Sequence, residues 1–363
     1  MRVPFLDLKR MDSELKNALK SKFSEMLDLG VFSGGEEVKS LESRISTYLN
    51  SPFSIACANG TDAMELALRA LQIGSGDEVI VPAMTWVSTA EAVAMVGAKP
   101  IFWDTDANGL LAADWGEAIT QNTKAVMPVH LYGKMVDMGN LMAKAKKYKL
   151  FVIEDGAQSF GSFQNNKAAG TFGDVGCLSF YPTKNLGALG EAGMCLTDSL
   201  ELTERIRQLL NHGQKVRDEH ELVGRNSRID SIQAGFLTVY MDRFVSFQKF
   251  RKRLAGMYLE ALGDLDGLRL PAGILGKDHN AHLFVVQTPK RNELKEFLSK
   301  QGVGTAIHYP LSLPEMTEFS CQGNFRNAGI LSAQGLSLPL NPWMREEEIE
   351  FVSGKVRQFF LSH

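Results

Sequence analysis

Cysteine is scarce in this chain of 363 residues, and its four cysteines include no C-x-x-C pair. Three of them, Cys57, Cys177 and Cys195, stand in apolar surroundings, where a reduced thiol packs as a small hydrophobic group. Such cysteine usage is typical of proteins in a reducing compartment. We therefore expect a cytoplasmic protein.

Long runs of one kind of residue are also missing. The N-terminus has no apolar stretch long enough for a signal peptide, and no segment is apolar for the length of a membrane span. The formal net charge is only −3, and no long Lys/Arg run occurs. A general nucleic-acid binder needs a basic face, so this composition favours neither nucleic acid nor membrane as a partner.

Several well-known catalytic motifs are absent. The chain has no Walker A, G-x-S-x-G or H-E-x-x-H segment, and its seven histidines show no paired spacing that would indicate a metal site. Glycines recur at Gly170, Gly173 and Gly176, but not as G-x-G-x-x-G between a strand and a helix. A nucleotide-binding oxidoreductase is therefore weakly supported.

Short apolar runs alternate with helical patterns between residues 54 and 200. The runs are continuous and bounded by Gly, Asp or Pro, which is typical of buried strands, whereas the segments between them have helical spacing. This alternation predicts an α/β fold with a mostly parallel sheet covered by helices on both faces. The predicted strands are Glu78–Pro82, Pro100–Trp103, Ala125–Val129 and Leu150–Ile153, and the predicted helices are Thr85–Val96, Trp115–Thr120 and Met138–Tyr148.

The pattern changes after residue 228. Helical spacing over Asp230–Leu262 predicts a long connecting helix, after which a smaller α+β domain is expected. We place the domains at 1–245, with an N-terminal helical arm, and at 246–363. The predicted elements of the second domain are the strands His282–Gln287 and Gly304–His308 and the helices Asn292–Gln301 and Arg345–Phe360.

One lysine, Lys184, follows an apolar strand-like run and precedes a cluster of small residues that ends at Gly193. A lysine held in a cleft at a strand end loses part of its hydration, which lowers its pKa and frees the amine as a nucleophile. The ordinary alternative is a surface lysine in a glycine-rich loop. The other candidate residues decide between the two.

Asp155 lies at the end of the predicted strand that precedes the apolar run before Lys184. A carboxylate there could keep the pyridine nitrogen of pyridoxal phosphate protonated, although a helix-capping or turn aspartate is a common alternative. A helix starting near Thr61, just after Gly60, would offer free N–H groups and a hydroxyl to a phosphate, as would Ser179, but any capped helix start looks similar. Trp86 could stack on a cofactor ring or simply belong to the core.

Two further groups of polar residues are less distinctive. Asn226 and Arg228 lie together in a predicted loop, where surface solvation is the default. His308 ends a predicted strand of the smaller domain and Tyr309 follows it, and an isolated histidine at such a place is usually structural.

In combination, these segments closely resemble the pyridoxal-phosphate-dependent nucleotide-sugar aminotransferases of the DegT type, which have the aspartate aminotransferase fold (fold type I). The resemblance covers nearly the full length, in the same order. The segments that carry it are Cys57–Ala63, Gly76–Pro82, Thr85–Ala92, Gly97–Pro100, Val152–Phe160, Gly173–Leu186, Gly224–Leu237, Gly304–Pro310 and Ser337–Leu340.

The resemblance implies a role for each matching residue. Lys184 occupies the position of the lysine that bonds covalently to the cofactor and moves the proton in transamination. Asp155 matches the carboxylate that faces the pyridine nitrogen, and Gln158 matches the amide that contacts the ring hydroxyl. Related sugar 3-dehydratases carry histidine at the lysine position, so Lys184 favours amino transfer over dehydration.

The remaining matches concern the phosphate, the ring face and the substrate. Gly60, Thr61 and Ser179 match phosphate ligands, and Trp86 matches the aromatic residue stacked on the ring. Asn226 matches a residue that the neighbouring subunit supplies to the phosphate, which implies a homodimer with shared sites. Three positions match substrate contacts, namely Arg228, His308 and Tyr309.

The implied reaction is a ping-pong transamination from an amino-acid donor, typically glutamate, to a nucleotide-linked keto-sugar in amino-sugar or surface-polysaccharide biosynthesis. The segments 212–214, 226–228 and 306–310 favour amination at C3 over C4. A C4 aminotransferase and a non-catalytic regulator of the same fold stay open as alternatives.

Overall fold

A computed structural model describes residues 1–362 of the chain. Its centre is a seven-stranded sheet with the strand order β1-β9-β8-β5-β4-β2-β3. The strands of this sheet are β1 (Phe53–Cys57), β2 (Glu78–Pro82), β3 (Lys99–Trp103), β4 (Thr123–Val126), β5 (Phe151–Asp155), β8 (Val175–Ser179) and β9 (Gly193–Thr197); the hairpin of β6 (Phe163–Gln164) and β7 (Lys167–Ala168) lies outside it.

The described residues also form ten α-helices. They are α1 (Ser13–Leu29), α2 (Gly35–Leu49), α3 (Gly60–Ala70), α4 (Ser88–Met95), α5 (Met138–Tyr148), α6 (Leu200–Leu209), α7 (Ser231–Leu262), α8 (Arg291–Lys300), α9 (Arg326–Gln334) and α10 (Glu346–Ser362). Two more two-stranded pairs complete the architecture, β10 (Gln214–Val216) with β11 (Glu219–His220), and β12 (Phe284–Gln287) with β13 (Gly335–Leu338).

Most neighbouring strands of the sheet run parallel. β3, β2, β4, β5 and β8 pair in parallel, whereas β9 pairs antiparallel with both β8 and β1. Apart from the edge strand β3 and the exposed Lys124 of β4, the interior positions of these strands are buried, as expected when helices cover both faces. The predicted α/β class with a mostly parallel sheet is confirmed.

Three local predictions need correction. Gly304–His308 is not a strand: only Ala306 forms an isolated bridge, to Ser337, and the strand that pairs with β12 is β13. The helix predicted from Thr85 begins at Ser88, and Trp115–Ala118 is a single 3₁₀ turn. A short run of alternating residues carries little information on pairing partners, because these lie far away in sequence.

The helix α7 contributes to two separate apolar clusters. Its first half supplies Phe236, Leu237 and Phe244 to a cluster under the large sheet, together with α1 and α2. Its second half supplies Leu254 and Tyr258 to a cluster formed largely by the C-terminal third of the chain. The boundary between residues 245 and 246 stays a prediction.

Between residues 1 and 362, no helix combines the length and the apolar character that crossing a bilayer requires.

Candidate active site

A cavity of about 660 Å³ opens at the carboxyl edge of the sheet. Chain segments that follow β1, β2, β5 and β8 converge there, which is where open α/β sheets place their ligands. The cavity brings together eight residues singled out from the sequence, namely Gly60, Thr61, Trp86, Asp155, Gln158, Ser179, Lys184 and Tyr309.

Lys184 lies in the turn that follows β8. Its backbone N–H donates to the carbonyl oxygen of Tyr181 at 2.8 Å, which closes the turn and directs the chain past the cavity. Burial lowers the pKa of the Lys184 amine to about 8, while the charge of Asp155 raises it and so partly offsets the shift. Roughly a tenth of this amine is therefore uncharged, and nucleophilic, at pH 7, far more than for an ordinary lysine.

This shift predicts the pH dependence of cofactor attachment. The rate at which cofactor-free protein bonds to added pyridoxal phosphate should rise with pH and level off above a midpoint near 8, because only the unprotonated Lys184 amine reacts. Stopped-flow absorbance between pH 6 and pH 10.5 would measure the profile, with denatured protein as the control. A rate that keeps rising through pH 10, as for an ordinary lysine, would contradict the prediction.

Asp155 ends β5, and its carboxylate is held by two donors. The hydroxyl of Thr89 donates to Oδ2 at 2.8 Å, and the backbone N–H of Ala157 donates to Oδ1 at 3.1 Å. Asp155 is only 5% exposed, so water has little access to these bonds. The side chain is thus held rigidly at the cavity floor.

The neighbouring Glu154 anchors the end of β5 from the other side. This fully buried carboxylate accepts hydrogen bonds from the backbone N–H groups of Gly170, Phe172 and Gly173. It also contacts His130 Nε2 at 2.9 Å, and because Nδ1 of His130 accepts from a backbone N–H, the imidazole presents Nε2–H to Glu154. Buried polar groups satisfied to this extent fix the backbone that carries Asp155.

The N-terminus of α3 forms one wall of the cavity. The Asn59 side chain caps this helix by accepting from the N–H of Asp62 at 2.8 Å, and the helix begins at Gly60. A Cβ atom on Gly60 would lie 2.7 Å from Cβ of Ser179, so only glycine allows β8 to approach this closely. The result is a cradle of helix N–H groups and the Ser179 hydroxyl, which fits the phosphate of pyridoxal phosphate. The Thr61 hydroxyl borders this cradle and donates to Oγ of Ser88 at 2.9 Å.

Aromatic rings border the opposite side. The rings of Trp86 and Tyr309 lie 5.3 Å apart at 43°, and Trp86 is 55% exposed, which leaves a face free for a ligand. Gln158 connects the two sides: its Nε2 donates to the Tyr309 hydroxyl at 3.0 Å, and its Oε1 accepts from the N–H of Tyr132 at 2.6 Å. Because Tyr309 accepts from Gln158, its own hydroxyl hydrogen can point toward a ligand.

Three predicted site residues do not line the cavity of the single chain. Asn226 is exposed, and Arg228 donates from Nη1 to Oδ1 of Asn211. The imidazole of His308 makes a 2.8 Å hydrogen bond between Nδ1 and Oγ of Ser337. Burial, with a smaller contribution from nearby Lys184, lowers the pKa of His308 to about 4, so this imidazole is neutral at physiological pH.

The structure adds several side chains that sequence reasoning missed. Thr85, Ser88, Tyr181 and Glu191 line the cavity, and Thr89 bonds to Asp155 from behind it. Thr85, Ser88 and Thr89 occupy one short stretch after β2, so hydroxyl enrichment after a buried strand was the available signal. For Tyr181, only proximity to Lys184 in sequence could have indicated the role.

Comparison with known proteins agrees with this geometry. The model of the DegT/DnrJ/EryC1/StrS aminotransferase family matches residues 13–357. A UDP-N-acetyl-3-dehydro-α-D-glucosamine 3-aminotransferase of Acidithiobacillus ferrooxidans is 40% identical over 98% of this chain and 97% of its own length. A pleiotropic regulatory protein of Geobacillus stearothermophilus is 39% identical over 99% of both chains.

A solved structure supports both the fold and the cofactor. NtdA from Bacillus subtilis, crystallised with bound cofactor PMP, superposes with a TM-score of 0.92 at 32% identity, over 98% of this chain and 86% of NtdA. PMP is the aminated form of pyridoxal phosphate, the cofactor whose phosphate, ring and aldehyde the cavity residues fit. The chain belongs to the DegT/DnrJ/EryC1/StrS family of pyridoxal-phosphate-dependent aminotransferases.

Proposed function

We propose that the protein transfers an amino group from glutamate to the 3-keto group of a nucleotide-linked hexose, for the synthesis of amino sugars of surface polysaccharides in the cytoplasm. The observation that carries the proposal is the cavity itself. It holds a lysine whose pKa is lowered to about 8, a fixed carboxylate and a phosphate cradle within one space.

Each residue has a defined task in this reaction. Bound pyridoxal phosphate would supply an aldehyde for the amine and a protonated ring that withdraws electrons. Lys184 Nζ would hold the cofactor and then move a proton to and from the reacting carbon, Asp155 would keep the ring nitrogen protonated, and Trp86 would cover the ring face. Gln158 would contact the ring hydroxyl while it orients Tyr309.

Two observations favour a sugar keto group at C3. The relative of Acidithiobacillus ferrooxidans is named as a 3-aminotransferase of a UDP-linked 3-dehydro sugar, and it matches this chain almost end to end. The segments 212–214, 226–228 and 306–310 also resemble those of 3-keto-sugar aminotransferases. Arg228, His308 and Tyr309 are the residues that we assign to the substrate.

We further propose that the site is completed in a homodimer. Among the described residues that line the cavity, Lys184 is the only cationic side chain, whereas Asp62, Asp155 and Glu191 are acidic. A cofactor phosphate and a nucleotide diphosphate both need additional donors there. Asn226 and Arg228, which lie outside the cavity of their own chain, are the residues that a partner subunit would supply.

The substrate assignment predicts a preference that a panel assay can measure. With glutamate as donor and UDP-, dTDP- and GDP-linked hexoses carrying a keto group at C3 or C4, we expect kcat/KM for a 3-keto substrate to be at least about 100-fold higher than for its 4-keto isomer. Formation of 2-oxoglutarate and mass spectrometry of the amino sugar would report turnover, with alanine as the control donor. Faster turnover of the 4-keto isomer would contradict the C3 assignment.

A regulatory role is the second candidate, because one relative of 39% identity is named as a regulatory protein. The same panel tests it. Protein that binds pyridoxal phosphate yet converts no keto-sugar with any donor would support the regulatory role over catalysis.

A further inference from the structure

The hydroxyl of Thr89 is fully buried and points at Asp155 rather than at its own helix. A threonine within a helix can donate to the carbonyl oxygen four residues earlier, as Thr203 does to Ser199 at 2.9 Å in α6, but Thr89 is the second residue of α4 and the residue four earlier lies outside the helix. Thr89 instead donates to Oδ2 of Asp155 at 2.8 Å, across 66 residues of sequence. The hydroxyl of Thr89 therefore serves one specific long-range partner, at a helix position that offers no carbonyl of its own helix four residues earlier.

The direction of the hydrogen bonds can be deduced. A threonine hydroxyl has a single hydrogen, and that of Thr89 is used on the carboxylate of Asp155. The oxygen of Thr85 lies 3.1 Å from the oxygen of Thr89, so Thr85 must be the donor in this second contact. Thr85 and Thr89 are 1% and 0% exposed, and the pair forms a chain of two hydroxyls that ends on Asp155.

The two hydroxyls and Asp155 link two separate parts of the fold. Thr89 lies in the first turn of α4, which follows β2, whereas Asp155 ends β5, and β4 separates those two strands in the sheet. The backbone of β5 therefore does not by itself determine the rotation of the carboxylate. The second donor, the N–H of Ala157, holds only Oδ1. Without the Thr89 hydroxyl, Oδ2 would lose the one donor that the described residues give it, in a place that water barely reaches.

We propose that Thr89 is a positioning residue for the reaction: its hydroxyl fixes the rotation of the Asp155 carboxylate so that this group can pair with the ring nitrogen of pyridoxal phosphate. The inference rests on the proposed role of Asp155. Thr85 acts one step further back, by orienting the hydroxyl of Thr89.

A cofactor analogue separates this role from a purely structural one. In 1-deazapyridoxal phosphate, carbon replaces the ring nitrogen, so the analogue cannot pair with Asp155 although its phosphate and aldehyde are unchanged. Wild-type protein, Thr89→Val, Thr89→Ser and the control Thr203→Val would each be reconstituted with either cofactor. Equilibrium dialysis and visible absorbance would then give the apparent dissociation constants.

We expect Thr89→Val to weaken binding of pyridoxal phosphate by about tenfold, since a hydrogen bond to a charged group is lost. Binding of the deaza analogue should stay within about twofold of wild type, because the interaction that Thr89 supports is absent there. Thr89→Ser keeps the hydroxyl and should restore the normal affinity. Thr203→Val, which removes a buried hydroxyl that does not line the cavity, should change neither constant.

Two outcomes would overturn the inference. If Thr89→Val weakens the binding of both cofactors equally, the role of Thr89 is structural. If it weakens the binding of neither, the Thr89 hydroxyl does not contribute to cofactor binding. If Thr89→Val does not fold, Thr85→Val tests the same pair of hydroxyls. This variant should raise the apparent dissociation constant for pyridoxal phosphate by a smaller factor than Thr89→Val. Asp155→Asn provides the reference. If this variant binds pyridoxal phosphate and the deaza analogue in the same ratio of affinities as wild type does, then Asp155 does not pair with the ring nitrogen, and the proposed role of Asp155 is wrong.

Discussion

Replacing Lys184 by alanine should abolish turnover, with a loss of at least about 10³-fold in kcat, because one side chain both bonds to the cofactor and carries the proton. The cavity offers no other amine among its described lining residues. Stopped assays of amino-sugar formation would measure the loss. Borohydride treatment should fix the cofactor to wild-type protein at Lys184 and leave no label on the variant.

The control is an exposed lysine outside the cavity. Lys249 lies on the surface of α7, and Lys249→Ala should retain wild-type activity and labelling. Small primary amines added to Lys184→Ala should restore part of the turnover by acting as the missing proton carrier. Undiminished turnover in Lys184→Ala, or borohydride labelling at another lysine, would refute the assignment.

Mixing two inactive proteins should regenerate activity if subunits share their sites. Asn226→Ala should lose most activity at limiting cofactor, because its partner's cavity lacks a phosphate ligand, and Lys184→Ala lacks the reactive amine. In a dimer that contains one chain of each variant, one site retains both Lys184 and Asn226. An equal, fully exchanged mixture should therefore recover about a quarter of the wild-type activity.

The exchange experiment needs its own controls. Differently tagged subunits would verify by tandem purification that mixed dimers have formed, and Lys184→Ala mixed with wild-type protein gives the activity expected from unaffected sites. The double variant with both substitutions in one chain, mixed with Lys184→Ala, should stay inactive. Verified mixed dimers without activity would argue against a shared site.

Much of the fold could be predicted because local patterns sufficed. The strand Glu78–Pro82 and the helix Met138–Tyr148 match their predictions at both ends. Each is an apolar or amphipathic run with clear boundaries. β13 was missed, because Gly335–Leu338 contains a glycine and a serine among its four residues, and only its pairing with β12 makes it a strand. Pairing depends on tertiary contacts, which no local pattern encodes.

Some residues of the candidate site could also be selected from local patterns, whereas others depend on tertiary contacts. Asp155, Ser179 and Lys184 could be selected because parallel strands place their carboxyl ends at one edge, so residues after different strands were expected to meet. Thr89 could not be selected. A threonine in the first turn of a helix looks the same in sequence whether its hydroxyl bonds to its own helix or to a carboxylate two strands away.

The helix α7 has a consequence for how the molecule unfolds. Its 32 residues span about 48 Å, and its two halves belong to different apolar clusters. Neither cluster can lose its packing without exposing one half of α7 while the other half is still packed. Melting should therefore be concerted, with heat or denaturant producing one transition rather than two. The active-site cavity should therefore unfold in the same transition as the rest of the protein.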